Sequence, residues 1–311
     1  MSVCLEQGPR VSVVIPTLGR EDVLVRTLER VMALGPAHET IVVDQTERHE
    51  ADTTEFLSRH HERGRLRWLR RSPPSIPGAM NAGLLEAGGT VVLFLDDDVE
   101  PSTELLVRHM AAHDEFSEAW AVAGQVLQPG VQPTPGKGSS GRGFWRDLEF
   151  PFASTDRAWV LSVMAGNLSV KRARALQVGG FDENFEGVAY RFETEFCRRL
   201  ADAGGRTLFE PGATLRHLRA PTGGTRTAGS HLTSVDPIHS MGDYYFAMKA
   251  GLSFETVTYM LRRPLREVAT RFHLRHPWFI PVKWIAEVRA FLWALEAIRR
   301  GPRYASAHKV G

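Results

Sequence analysis

The sequence predicts an α/β fold with a mostly parallel central sheet flanked by helices. Three observations carry that expectation. Short apolar runs stopped by turn residues recur through the first half of the chain. Segments with helical spacing separate them, as crossover connections between parallel strands require. Acidic residues stand at the carboxyl ends of two runs, where ligands bind in open α/β sheets.

The elements follow in order. Val11 to Ile15 is a buried strand stopped by Pro16, and Leu24, Leu28 and Val31 mark a helix that Gly35-Pro36 ends. Thr40 to Val43 is the second strand, running into Asp44; a polar helix over 51–63 and a short strand at Leu66 to Leu69 come next. Ser72-Pro73-Pro74 breaks the chain, and Pro77 opens a helix with Met80 and Leu84 on one face. Val91 to Leu95, the strongest strand signal, leads straight into Asp96-Asp97-Asp98. Residues 128–143 and 219–230 are Gly-rich loops of low hydrophobicity. Between them lie an expected strand at Trp159 to Met164, a short helix over 171–177, a Gly179-Gly180 turn, a helix over 191–203 and a strand around 207–215. From Asp243 onward the pattern is helical.

The 311 residues, 43% hydrophobic and 24% charged, are enough for one large domain or two small ones and exclude a disordered or fibrous chain. Two cysteines, Cys4 and Cys197, exclude a disulfide framework, and the expected compartment is the reducing cytoplasm. No signal-peptide pattern opens the chain and no run is long enough to span a bilayer. The net charge of +2 is unevenly spread: residues 260–311 hold eleven Lys/Arg against three acids, and the rest is acidic on balance. That distribution argues against a nucleic-acid partner and fits a catalytic body with a basic tail.

Three consecutive acids after an apolar strand repel one another, and a fold tolerates them best around a cation. Hard oxygen donors suit Mg²⁺ or Mn²⁺, which commonly bridge protein carboxylates to a diphosphate. The competing reading is a helix N-cap, since Pro101, Ser102 and Thr103 follow.

The segments VSVVIPTLGR, IVVDQT, PGAMNAGLLEAGG, VVLFLDDDVEP and GNLSVKRARALQVGGFDENF, in that order over about residues 11–218, resemble the inverting family 2 of glycosyltransferases with the GT-A (nucleotide-diphospho-sugar transferase) fold. The resemblance implies a GT-A catalytic domain over 1–240, with a nucleotide-binding half of about 1–127 and an acceptor half of about 144–240, followed by a helical, basic extension over 241–311. It implies that Pro16, Thr17, Asp44, Gly78, Asn81, Asp96 and Asp97 hold the donor nucleotide, Asp44 by accepting from a uracil-type imide. Asp96 and Asp98 match the Asp-x-Asp motif, and His217 stands where many members place a further ligand to the divalent ion, Mn²⁺ favoured and Mg²⁺ the alternative. Asn167, Asp182 and Glu183 would meet acceptor or sugar, and Arg219 and Arg226 the diphosphate, in a loop that closes as a lid.

In the family the base is the Asp of a Glu-Asp pair opening a helix after a GGFDE turn. Here that turn is Gly179 to Glu183, and the Thr194 to Cys197 stretch puts Glu193 in the base position, with Phe192 replacing the first acid. A helix N-terminus favours its ionised form. Glu195 lies about 200° round the helix and cannot share its direction; Glu186 is the weaker substitute.

The implied activity is hexosyl transfer with inversion, by metal-assisted single displacement, from a nucleotide sugar, UDP-sugar first, to a hydroxyl of a glycan, a lipid-linked sugar or a small molecule. The alternatives are a degenerate GT-A binding module and a nucleotide-sugar pyrophosphorylase, but the glycine run the latter needs after the first strand is missing. No G-x-G-x-x-G follows that strand either, which excludes a dinucleotide-dependent dehydrogenase. The C-terminal helix has two readings. Its aromatic and basic residues suit peripheral contact with the inner face of a membrane. The favoured reading packs it on the catalytic domain or on a second copy, as in a homodimer, with the basic residues solvated.

Overall fold

The computed structural model describes residues 10–35, 38–136, 143–148, 151–224 and 231–305. Strands β1 (Val11–Thr17), β2 (Glu39–Asp44), β3 (Arg67–Arg70) and β4 (Val91–Leu95) alternate with helices α1 (Asp22–Met32), α2 (Ala51–Glu62) and α3 (Ile76–Glu86). The chain continues through β5 (Val99–Pro101), α4 (Leu105–Glu115), β6 (Ala119–Leu127), β7 (Ala158–Val160), β8 (Asn167–Lys171), α5 (Arg172–Gln177), α6 (Phe192–Asp202) and β9 (Arg206–His217). It ends in α7 (Met241–Lys249), α8 (Phe254–Val268), α9 (Arg271–Arg275) and α10 (Phe279–Arg300).

The sheet order is β3-β2-β1-β4-β8-β6-β9-β5, with β7 paired to β9. It is parallel through β3, β2, β1 and β4, and mixed beyond, where β8 runs antiparallel to both β4 and β6. Alternate residues of each central strand serve opposite faces: Val14, Val92 and Phe94 join one apolar cluster, Val13, Leu93 and Leu95 the other. Burial on both faces is why these strands read as unbroken apolar runs. Thr17 pairs in register with Asp44, and Val14 with Phe94, so β1, β2 and β4 deliver their carboxyl ends to one edge.

The sequence pattern misses β6 and β8 and extends β7 too far. β8 gives a weak apolar signal because Asn167 and Ser169 are polar, yet both are fully buried. Their partners come from α4: His109 bridges Asn167 Oδ1 and Ser169 Oγ at 2.9 Å each, and His113 reaches Ser169 Oγ at 2.9 Å. Burial pushes His109 down to about 4 and His113 to about 3, so both stay neutral. A base whose folded pKa is depressed costs stability as pH falls below its unfolded value near 6.5. Wild type should therefore lose about 3 kcal/mol relative to His113→Gln between pH 7 and pH 4, from a shift worth 1.36 kcal/mol per unit. Urea unfolding of both proteins at the two pH values measures it, and a pH-independent difference would contradict it.

The C-terminal helices share the main core, but α10 packs mainly through small residues and not through its large apolar ones. Its buried positions are Ala286, Ala290, Ala294 and Ala297 with Lys283 and Glu287, while Trp284, Ile285, Val288 and Leu292 face outward. Small residues let α10 lie close against α7, and Glu287 accepts from Ser240 and Tyr244 there. Among the described residues no helix is long and apolar enough to cross a membrane.

Candidate active site

The carboxyl ends of β1 and β4, the start of α6 and the segment after β9 enclose a cleft of about 380 Å³. Eight of the expected site residues lie on its wall: Pro16, Thr17, Asp96, Asp97, Asp98, Glu193, His217 and Arg219.

The three acids divide their work. β5 and not a helix follows them, so the capping reading does not apply. Asp97 turns inward, accepting from Thr17 Oγ1 at 2.8 Å, with Arg20 Nε 3.3 Å away as an ion pair. Burial, reinforced by its acidic neighbours, pushes the Asp97 carboxyl up to about 7 against the pull of Arg20 and Thr17. Asp96 and Asp98 instead face His217, whose Nε2 lies 3.6 Å from one carboxylate and 3.3 Å from the other. The three donor atoms lie within 4.8 Å of one another. Those separations are long for hydrogen bonds, but they are near the roughly 3 Å expected between ligands sharing a cation with bonds of about 2.1 Å. The other ring nitrogen, Nδ1, is buried without a hydrogen-bond partner. Two carboxylates and an imidazole therefore fit a divalent ion of borderline hardness such as Mn²⁺.

Two glycines shape this corner. A Cβ on Gly166 would sit 2.1 Å from Asp96 Oδ2, so the carboxylate occupies the space a side chain would take. Gly223, at φ +76°, approaches the Gly19 carbonyl so closely that a Cβ would stand 2.2 Å from it. That contact, with Gly224 N–H donating to the Leu18 carbonyl at 2.6 Å and Ala220 N–H to Asp98 Oδ2 at 2.8 Å, pins residues 218–224 across the end of β1. Arg20, which sequence reasoning missed, is the bolt: nearly buried, it reaches Asp97, Asp98 and the carbonyls of Ala220 and Thr222. A lone arginine three residues past a strand gave no sequence signal, because its partners lie some 80 and 200 positions away.

Across the cleft, Glu193 occupies the first turn of α6. Ala189 and Arg191, at φ +51° and +76°, turn the chain into that helix. Such strain outside glycine costs about 1–3 kcal/mol per residue and tends to collect at functional sites. Glu195 points away, paired with Arg199 at 2.7 Å and Lys249 at 2.6 Å, as its helical offset requires. Glu186 pairs with Arg303 and is off the wall.

Six of the expected site residues do not lie on this wall. Asp44 is fully buried and accepts from His49 Nε2, Trp68 Nε1, Arg70 Nη1 and Thr46 N–H at 2.8–3.0 Å, leaving no surface for a base. Burial alone would raise its carboxyl, but these donors hold it below the ordinary range. The neighbouring Gln45 takes the place on the wall. Gly78 sits under Arg71, whose guanidinium lies where a Cβ would go. Asn81 is buried and clasps Phe181 N–H and carbonyl, both at 2.8 Å, and Glu183 at 3.0 Å; Met80 and Ile76 from the same helix reach the cleft instead. Asn167 is spent on His109 and the carbonyls of Gln125 and Ala213, and its neighbour Gly166 lines the wall. Asp182 is buried among Tyr245, Lys249 and the Asn184 and Arg303 amides, which ties the turn to residues 301–305, and Glu183 pairs with Arg71, which ties it to the approach to α3. Arg226 lies outside the described residues.

A mixed sheet with a carboxylate turn after its fourth strand and an acid-bearing helix across the cleft defines the GT-A class of glycosyltransferase folds. Residues 12–178 match the model of glycosyl transferase family 2, and the chain belongs to that family. It is 26% identical over 192 residues to the O-antigen biosynthesis protein RfbC of Myxococcus xanthus, covering 57% of this chain and 15% of that protein. It is 27% identical over 233 residues to the uncharacterized protein y4gI of Sinorhizobium fredii, covering 68% of this chain and 25% of that one. The chain thus spans a quarter or less of the length of these curated relatives. Among solved structures, the mannosyltransferase PcManGT from Pyrobaculum calidifontis, in complex with GDP-Man and Mn²⁺, superposes with a TM-score of 0.55 at 18% identity, covering 95% of this chain and 80% of that one. S. aureus TarS 1-349 in complex with UDP-GlcNAc gives 0.57 at 14% identity, covering 95% and 93%.

Proposed function

We propose that this chain is an inverting glycosyltransferase that moves a sugar from a nucleoside-diphosphate sugar to an acceptor hydroxyl, with Glu193 as base. The observation that carries the reading is the convergence of Asp96, Asp98 and His217 on one wall of the cleft that Glu193 faces from another. The solved relatives described with GDP-Man and Mn²⁺ and with UDP-GlcNAc support that donor class.

Asp96, Asp98 and His217 would hold the divalent ion, which supplies Lewis-acid neutralisation of the diphosphate leaving group. Arg20 and the Asp97–Thr17 bond fix the acids in place, and Arg219, exposed at the rim, offers a guanidinium to phosphate oxygens. The nucleoside would lie along Pro16, Thr17, Gln45 and Met80. Gln45 shapes this wall with its carboxamide held in place, Oε1 accepting from Ser75 N–H at 2.6 Å. Glu193 would take the acceptor proton as the hydroxyl attacks the anomeric carbon from the face opposite the diphosphate, inverting it. The domain division at about residue 240 and a cytoplasmic site of action remain part of this proposal.

Thermal unfolding against a panel of UDP- and GDP-sugars, with and without Mn²⁺, tests it. A cognate donor at 100 times its Kd should add about 2.7 kcal/mol of stability, and only when Mn²⁺ is present. A shift with neither class of donor in Mn²⁺ would refute the reading.

A further inference from the structure

The outward-facing residues of α8 and α10 are left unused by the catalytic reading. We propose that this face docks on the surface of an anionic phospholipid bilayer. The inference is independent of the chemistry in the cleft.

Its first support is the inversion of α10. An ordinary surface helix buries its large apolar residues and exposes its charges. Here the buried arc is alanine with Lys283 and Glu287, whereas Trp284 is 47% and Val288 59% exposed. α8 repeats the pattern: Phe254, Val257, Leu261 and Leu265 are exposed at helical spacing, Leu261 by 70%. Single exposed apolar residues are ordinary, but two helices each presenting a stripe mark an interaction surface.

The second support is how the fold sorts charge. In this region Glu287 is buried and Glu267 largely so, both consumed by Arg263 and Lys283: Arg263 Nε lies 3.2 Å from Glu287, and Lys283 Nζ 3.9 Å from each acid. The interior cluster takes two acids and two bases off the surface together, which leaves Glu296 as the exposed acid of residues 260–305. Arg262, Arg266, Arg271, Arg275, Arg289 and Arg299 remain exposed around the apolar stripes. Both helices thus present outward apolar residues, with tryptophan on α10 and exposed arginines beside each stripe, which matches the boundary between acyl chains and anionic headgroups. A second copy of this chain is a poorer occupant. A two-fold dimer sets the same patch against itself, arginine facing arginine.

Sedimentation with phosphatidylglycerol/phosphatidylcholine vesicles and with phosphatidylcholine vesicles, at low and high salt, tests the proposal. The chain should bind the anionic vesicles at low salt and release from them at high salt. Trp284→Ser with Val288→Ser should weaken that binding at least about tenfold. Arg262→Gln with Arg275→Gln should abolish the preference for phosphatidylglycerol. Leu261→Ser, on the other helix, repeats the test should the α10 variant fail to unfold cooperatively in urea. Equal affinity for both vesicles, or no affinity for either, would overturn the proposal. So would light scattering that shows a dimer dissociated by Trp284→Ser, which would assign the face to a second copy.

Discussion

Glu193→Gln is expected to lower turnover by about 10²–10⁴-fold, the usual contribution of a positioned general base, with donor affinity little changed. Gln has the same shape but accepts no proton from the attacking hydroxyl. The expectation rests on position: Glu193 stands on the cleft wall in the first turn of α6, reached through two residues with positive φ. Glu193→Asp, which restores the family's side chain, should recover part of the loss. Initial rates at saturating donor separate this outcome from a binding defect, and the alkaline limb of the profile should persist while the acid limb set by the base disappears. Glu195→Gln provides the contrast. It breaks the contacts with Arg199 and Lys249, so stability should fall while the base remains. If Glu193→Gln left turnover within a factor of a few, Glu193 would not be the base.

Asp98→Asn is expected to cost turnover about 10²–10³-fold, the range for removing one preorganised charge-stabilising group, and to abolish the stabilisation by Mn²⁺. Asparagine can keep the hydrogen bond from Ala220 N–H to the side chain, so residues 218–224 should stay in place. What it loses is the negative charge that faces His217 Nε2 at 3.3 Å and Arg20 Nη2 at 3.3 Å. Titration calorimetry with Mn²⁺ on wild type and variant measures the loss directly. Equal heats from the two proteins would remove Asp98 from the ligand set.

How much of the site the sequence shows depends on the range of each contact. Asp96, Asp98 and the base candidate are legible because their signals are local: a run of acids at the end of an apolar strand, an acid opening a helix. Asp44, Asn81, Asn167 and Asp182 carry the same kind of local signal, and the structure spends them internally. Each is buried and satisfied by groups distant in sequence: Trp68 and Arg70 for Asp44, Phe181 for Asn81, His109 for Asn167, Lys249 for Asp182. A carboxylate or amide at a strand end looks identical whether its partner is a ligand or another part of the chain. Arg20 shows the converse, since its partners assemble only when residues 218–224 cross over β1.

By itself the sequence determined the α/β alternation, the parallel half of the sheet, the acid turn after β4 and the helix bearing Glu193. All of these follow from hydrophobic period and from residues within a turn or two of one another. The tertiary structure decided which polar residues meet the cleft and which face of α10 is buried. It also buried Glu287 with Arg263 and Lys283 and left the other arginines of α8 and α10 exposed. The physical reason is that burying a polar group is favourable only when a partner arrives with it, and in this chain those partners come from elements dozens of residues apart.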